Sequence, residues 1–488
     1  MGNQLSIANL NFSVIGIEVL LIGVATLIFL IDKFVKNKNY AFYISILVCA
    51  LISVLLYYSP FGEFTRAYKT DFFTITLKEF IVFGTILILI MSYGYLQNYK
   101  NLNLGEYYAL ILFSIVGSFL MVSGTDLITI YLSIELMSFP VYFLIALNYA
   151  YNKPAIEGSF KYFIAGSFSS IFMLLSLGII YYFTGSFYLK DIFIKLSQQV
   201  HQKEILLAFM LLLISFSIKL SFVPFHMWAP DAYESAPIPI TSFIASLVKL
   251  AALATLIKII LLGFMPIKVE IGKLLIPIIL LTILVGNIMA VKQDNFIRML
   301  AYSSIAHAGY AGLGLISADY LGYSFALFYM LIYLIMAVGI FSVLIFFANY
   351  QKEYLYIPNL AGLSKKMPFL SFLILIFMFS LAGVPPTAGF IAKFYLFMSL
   401  VKAHYVLVAV LAIAFSVIGA YPYLRVVKFI YMDEEKLPIS QYKFDWSFII
   451  PVGIASVLII LLGIYPKILV NFVNKTLFLY LSTLYIPS

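Results

Sequence analysis

Charge is scarce in this chain. Of its 488 residues only 10% are Asp, Glu, Lys or Arg, where a soluble domain carries roughly 25%. A large water-facing surface is thereby excluded. Cysteine is scarcer still: a single one, Cys49, lies inside an apolar run. One thiol allows neither an intrachain disulfide nor a four-thiolate iron–sulfur site. No glycine-rich loop follows a strand pattern and no P-loop occurs, so no nucleotide or redox group of the chain's own is expected. Alternating segments of about ten residues, the mark of a membrane β-barrel, are missing too. The net charge of +9 falls largely on loop lysines of the kind that meet a membrane surface, and it is not read as a nucleic-acid footprint. The first apolar run has no basic flank before it and no small-residue cleavage site after it, which predicts a retained helix rather than a removed signal peptide.

What remains is apolar. Hydrophobic residues make up 64% of the chain, in runs long enough to cross a bilayer from one end to the other. About 20 residues span the hydrocarbon as helix, and about fourteen spans are predicted on that length. They run over 10–32, 41–59, 72–96, 107–123, 125–148, 156–184, 204–234, 239–263, 272–291, 298–316, 320–349, 368–401, 404–432 and 446–470, followed by a short tail. The expected fold class is all-α integral membrane, because backbone polar groups in lipid must be satisfied within each segment. No linker divides the chain. With the N-terminus outside, inner loops collect about 14 Lys and Arg and outer loops about 10, which favours that orientation. The basic "FVKNKNY" loop and the Lys365–Lys366 loop then face inward.

Two runs, 204–234 and 368–401, would reach about 45–50 Å as unbroken helix, against roughly 30 Å of hydrocarbon. Each holds a Val-Pro near its middle, Val223-Pro224 and Val384-Pro385, the second in "AGVPPTAGFIAKFY". Proline removes a backbone donor and clashes with the preceding turn. Two discontinuous helices are therefore predicted. Interrupted segments at matching places in two halves mark a transporter repeat with a site near the midplane.

Ionisable side chains in mid-membrane cost at least about 2.5–3.5 kcal/mol each, so each needs a reason. Four lie far from any span end: Glu135 in "YLSIELMSFPVYFLIA", Lys219 in "SFSIKLSFVPFHMWAPD", Lys249 in "ASLVKLAALATL" and Lys393 in "GFIAKFYLF". A depth of ten residues is about 15 Å, beyond the roughly 6 Å reach of a lysine stem. Static buried ion pairs would explain one such Glu and Lys. They do not explain the set, because three lysines face one glutamate. An excess of buried cations is unstable unless some give up their protons, which is the chemistry of a proton relay. His226 follows the break at Pro224 and could bridge Lys219 to Lys249, since a neutral imidazole passes a proton between its nitrogens. His307, in "AYSSIAHAGY" among Ser303, Ser304 and Tyr310, is a second shuttle candidate. For both, a hydrogen-bonded core histidine is the plainer alternative. Glu157 starts a span with Lys161 one turn on, so a local i,i+4 pair competes with a relay role. Lys258, near a helix end, is expected to snorkel to the surface. Lys78 and Glu79 are expected to form an interfacial pair. Glu18, an acid in the first span, has no assigned role. The 46 Phe and 37 Tyr are expected to face lipid or pack, not to form a cofactor cage.

"KLSFVPFHMWAPDAYESAPIPITSFIASLVKLAALA", "NFIRMLAYSSIAHAGY" and "SLAGVPPTAGFIAKFYLF", with "YLSIELMSFPVYFLIA" and "EGSFKYFIAGSFSS", together resemble the antiporter-like membrane subunits of respiratory complex I, a proton-translocating NADH–quinone oxidoreductase. The resemblance covers about residues 105–430. It implies two inverted five-helix repeats at 107–263 and 272–432, three leading helices within 1–106, and a trailing helix and short tail over 433–488. It implies that Glu135 and Lys219 form one half of a relay, that Lys249 is the central station, that Lys393 is the exit or re-entry point, and that His226 lies on a hydrated axis. One member of the family continues into a long lateral helix. The roughly 18 residues after the last span here would reach only about 27 Å. Another has a glutamate where Lys393 stands.

The resemblance further implies that NADH, FMN, iron–sulfur clusters and quinone belong to partner subunits. Those partners are the other membrane-arm subunits, including other antiporter-like ones, within the lipid bilayer, and no nucleic acid is involved. A multisubunit sodium/proton antiporter and a related membrane hydrogenase complex use similar subunits, and both remain open alternatives. A stand-alone solute transporter is disfavoured, because "FVPFHMW" and "GVPPTAGF" are largely apolar.

Overall fold

The computed structural model describes residues 11–35, 39–98, 103–150, 152–198, 201–437 and 443–485. Lys36 and Lys38 of the basic loop lie outside them. The leading helices are α1 (Gly16–Ile31), α2 (Tyr40–Tyr57) and α3 (Phe72–Leu96). Between α2 and α3 stands a small antiparallel hairpin, β1 (Gly62–Thr65) and β2 (Tyr68–Thr70), a detail the apolar pattern did not carry. The next group is α4 (Leu104–Ser123), α5 (Leu127–Ala146), α6 (Ala155–Thr184), a short surface helix α7 (Leu189–Ser197), and α8 (Gln202–Leu220) with α9 (Trp228–Ser235). It closes with α10 (Ile238–Phe243), which runs through a π-helical turn at Ile244–Val248 into α11 (Lys249–Leu262). Then come α12 (Lys268–Val291), α13 (Phe296–Ile316), α14 (Tyr320–Tyr350), the single turn α15 (Leu363–Lys366), α16 (Pro368–Ala382) with α17 (Ala388–Lys402), and α18 (Val406–Met432). Last are α19 (Trp446–Ile464) and α20 (Lys467–Tyr485). The expected tail is therefore helical: α20 packs on α3, with Tyr480 stacked on Phe73 at 4.8 Å.

Among the described residues, ten helical stretches are long and apolar enough to cross a membrane. Two of them, Ile238–Leu262 and Tyr320–Tyr350, bury the whole of their most apolar window inside the protein, whereas α6 and α18 bury only a third of theirs. A helix that is apolar all round is a core helix or a lipid-facing one, and here both kinds occur. The core is a column of α10–α11 and α14, jacketed by helices whose outer faces are apolar. Lipid gives no hydrophobic drive between helices, so contact relies on close packing at small residues. A Cβ on Gly117 of α4 would stand 2.2 Å from the Met137 backbone nitrogen of α5, and one on Gly286 of α12 would stand 2.7 Å from that of Ala306 on α13. Neither position has room for a side chain.

Both long runs break where proline predicted. At the first, Ser221 takes φ +59° and the Phe222 amide bonds the Ser217 carbonyl at 2.8 Å. At the second, Gly383 takes φ +84° and the Val384 amide bonds the Phe379 carbonyl at 2.9 Å. Each is a left-handed cap with the six-to-one bond of a Schellman ending. The next turn repeats too: the Phe225 amide bonds the Phe222 carbonyl, and the Thr387 amide that of Val384. The two breaks thus share one construction, 162 residues apart in the chain.

Candidate functional site

The four central ionisable residues fall into two groups. The first lies at the α5–α6–α8 contact. Lys219 sits in the last turn of α8, where the helix dipole favours a cation, and is buried, donating to Ser138 Oγ at 2.9 Å. Ser138 is one turn from Glu135 on α5, so acid and lysine share a neighbourhood. Glu135, half-buried, accepts from Ser170 Oγ of α6 at 2.5 Å. Among the described residues Glu135 and Lys219 make no direct ion pair; each bonds a different serine instead. Gly166, one turn before Ser170, keeps this space open, since a Cβ there would meet Tyr142 Oη and stand 3.6 Å from Lys219 Nζ.

The second group is strung along α13. Lys249, fully buried at the start of α11, donates to Ser304 Oγ at 2.8 Å and to its carbonyl at 3.0 Å. One turn on, His307 bonds Tyr329 Oη through Nδ1 at 2.7 Å and Tyr423 Oη through Nε2 at 3.2 Å, and stacks on Tyr333. Another turn on, the Tyr310 ring lies 4.6 Å beneath Lys393 Nζ. Residues 304, 307 and 310 share one helix face, so a single face of α13 links two lysines through a histidine, over about 9 Å of rise. Ser303 Oγ also meets Tyr423 Oη, at 2.5 Å.

Lys393 itself closes the second break. It donates at 3.0 Å to the carbonyls of Leu381 and Ala382, which end α16, and reaches Ser416 Oγ at 3.5 Å. Gly383 leaves it room, because a Cβ there would stand 3.0 Å from the lysine stem. The 162-residue offset pairs Lys393 with Asp231 in the first half, and Lys219 with Leu381 in the second. The two breaks share a frame, but the lysine precedes the first break and follows the second.

His226 lies in the first break, 8% exposed, with Nδ1 unpartnered and no hydrogen bond to either lysine among the described residues. Ser217 and Ser221 just before it, and Ser242 on α10, also bury hydroxyls without a protein partner among the described residues. Groups of this kind are ordinarily satisfied by bound water. Trp228 Nε1 ties the break to the Ile218 carbonyl at 3.0 Å, and the Val223 amide bonds Thr282 Oγ1 of α12 at 2.9 Å. Glu157 stands apart from this interior. It pairs with Lys161 at 2.6 Å in the expected i,i+4 manner and is two-thirds exposed. Lys161 continues to Asp231, and Arg298 bridges Asp231 and Glu234, all at 2.7 Å, around a surface cavity of about 470 Å³.

Two expectations are corrected. Lys78 does not pair with Glu79. It is 1% exposed and pairs with Glu18 at 2.7 Å, with Tyr68 Oη bonded to both, while Glu79 accepts from Ser53 Oγ. Adjacent helix residues point about 100° apart and cannot face each other. Lys258 does not snorkel either. It is 1% exposed and donates to the Val122 carbonyl at 2.7 Å, because packed helices rather than water surround α11. The sequence reading also passed over Ser138, Ser170, Tyr329 and Tyr423. Ser138 and Ser170 stand in stretches quoted for other residues; nothing local marks Tyr423, which reaches α13 across 120 residues of chain.

Broken helices with ionisable groups buried at the breaks place the molecule among ion-transporting polytopic membrane proteins. The family model described as "NADH:quinone oxidoreductase/Mrp antiporter, TM" matches residues 124–419, and the chain belongs to this family. A relative from Thermodesulfovibrio yellowstonii, named NADH-quinone oxidoreductase subunit N 1, is 39% identical over 93% of this chain and 97% of its own. A chain of respiratory complex I from Thermus thermophilus superposes with a TM-score of 0.78 at 27% identity, covering 93% of this chain and 98% of that one. A chain of the Mrp complex from Dietzia sp. gives 0.85 at 16% identity, over 96% and 97%; at that identity the fold alone is shared.

Proposed function

We propose that this chain is the proton-translocating, N-type membrane subunit of an NADH–quinone oxidoreductase, multi-pass in an energy-coupling membrane, the inner membrane in a bacterium. Supporting this are its family, relatives that carry that name, and the row Lys249–Ser304–His307–Tyr310–Lys393. That row is the single observation on which the reading rests. Electron transfer belongs to other subunits of the complex, which hold the cofactors.

Fourteen spans, three leading, two inverted repeats at 107–263 and 272–432 and a trailing helix, form the working architecture. The matched caps at the two breaks support the repeats. The N-terminus faces outward, on the lysine and arginine count. In this reading a redox event elsewhere changes the charge balance at Glu135 and Lys219. Lys219 passes its proton to Lys249 through water near His226. The proton then moves along the α13 face by way of His307 to Lys393. Glu157 belongs with the surface network of Lys161 and Asp231 and serves entry. Hydroxyl and imidazole groups between the lysines can each accept one proton while giving another, which lone ammonium groups cannot do.

The test is Lys219→Ala and Glu135→Ala in the assembled complex, with protons translocated per electron as the readout. Both are expected to lower that ratio. Normal stoichiometry in both variants, in a fully assembled complex, overturns the relay.

A further inference from the structure

A second set of buried charged groups lies outside the relay. Lys258 projects from α11 toward the end of α4, where its ammonium is held by the Val122 carbonyl. Carbonyls at a helix C-terminus attract cations. Lys78 approaches the same helix, 5.5 Å from the Phe119 ring, but its charge is answered by Glu18. Lys258 has no carboxylate within 4.0 Å among the described residues. The acid that acts on it electrostatically is Asp71, the N-cap of α3, whose Oδ1 is taken by the Thr74 amide and whose Oδ2 is buried without a partner. Two more buried hydroxyls without a protein partner among the described residues belong to the same neighbourhood. Ser123 follows Val122, and Thr255 precedes Lys258 by one turn. A buried carboxylate oxygen and two hydroxyls without partners beside an unpaired lysine form a site suited to holding water.

The site lies one turn from solvent. Leu262, four residues beyond Lys258 on the same face, lines a small surface cavity of about 60 Å³ together with Arg66, Lys69, Lys190 and Glu63. The hairpin walls it, with Tyr68 bridged to Gly124 and the Thr125 amide bonded to the Ala67 carbonyl at 2.9 Å. With the N-terminus outside, the hairpin, the α4–α5 turn and the end of α11 all face outward. Toward the interior, Lys249 stands nine residues back on the same helix, about 13.5 Å below and on the opposite face. Thr255 lies between the two in both height and azimuth.

We propose that Lys258 is a proton-releasing group, opening to the outer face through this cavity, that gives the first half of the molecule its own exit. The ammonium gives its proton to water held at Asp71 Oδ2, from which the proton leaves by the cavity. The neutral amine is recharged from the Lys249 station by way of Thr255. The charged groups that act on Lys258 are Asp71 and Lys78 of α3 and Lys69 of the hairpin; Glu18 and Tyr68 bond Lys78 in turn, and Tyr480 of α20 lines the cavity. This inference rests on the relay reading above.

The experiment uses the whole complex in vesicles whose lumen is the outer face, at zero membrane potential, with proton delivery followed as the lumen is acidified. Lys190→Glu reverses an exposed charge at the cavity mouth that makes no ion pair among the described residues. It raises local proton activity, so the lumen pH at which delivery is half-inhibited should move up by about half a pH unit. Lys258→Arg keeps the charge but holds its proton. It should lower the proton-to-electron ratio and, combined with Lys190→Glu, erase that shift. A midpoint unmoved by Lys190→Glu, a shift that persists in the double variant, or a normal ratio in Lys258→Arg overturns the exit. If Lys249→Met also leaves the ratio normal, the relay itself falls; if Lys249→Met lowers it, only the exit falls.

Discussion

Replacing Lys249 by methionine separates folding from transport, and the structure gives both magnitudes. The ammonium makes two bonds to Ser304, worth about 1.5–3 kcal/mol each when charge-assisted. Keeping an ammonium out of water costs several kcal/mol, so losing the group and its bonds together nearly cancels. Methionine retains most of the stem's volume. The variant should therefore assemble and melt within a few degrees of the parent. Transport behaves differently. Without the amine the proton must cross this dry layer on water, and a bare charge there costs at least about 2.5–3.5 kcal/mol. At about 1.4 kcal/mol per decade, the step slows roughly a hundredfold. Proton translocation per electron, measured in vesicles alongside uncoupled electron transfer, reads the loss. Lys249→Arg is the control: it keeps the charge but does not release a proton, so it should fail as badly as methionine. Restored pumping in the arginine variant would show that the position needs only charge, and would refute the hand-off.

Glu18→Gln leaves Lys78 buried and unpaired, and should lower stability by about 3–5 kcal/mol, seen as a lower thermal unfolding midpoint of the purified complex. Glu18→Leu with Lys78→Leu should recover most of the loss, and no recovery would count against a purely electrostatic cause. Gly117→Ala pushes a methyl against the Met137 backbone and should cost about 1–3 kcal/mol through overpacking, read by the same unfolding midpoint.

The spans were legible because an apolar run in lipid has one structural outcome. The third was read to the residue, Phe72–Leu96, where a capping box at Asp71 and Thr74 begins the helix. Proline made the two breaks legible, although the caps close a few residues earlier, at Ser221 and Gly383. The lysines announced themselves by depth. Their partners did not, since Ser138, Ser304 and Ser416 come from other helices. Lys258 was misread because counting residues to a helix end assumes a helix bathed in lipid and water along its length, and α11 is packed among other helices. Lys78 was misread because Glu18, its partner, stands 60 residues away in the chain. The π-helical turn before Lys249 and the charged, amphipathic α7 have no apolar signature long enough to register.

The contact of α4 with α5 has a mechanical consequence. Gly117 brings the two backbones together at Met137, and Ser114 Oγ grips the Met137 carbonyl at 2.7 Å. Met137 lies between Glu135 and Ser138 in the chain, so the segment that bears the acid is anchored at its midpoint. Sliding it along its axis would break that bond and drive Met137 against the α4 backbone. In the proposed relay, changes of rotamer and rearranged solvent at the carboxylate therefore cost less than movement of the helix.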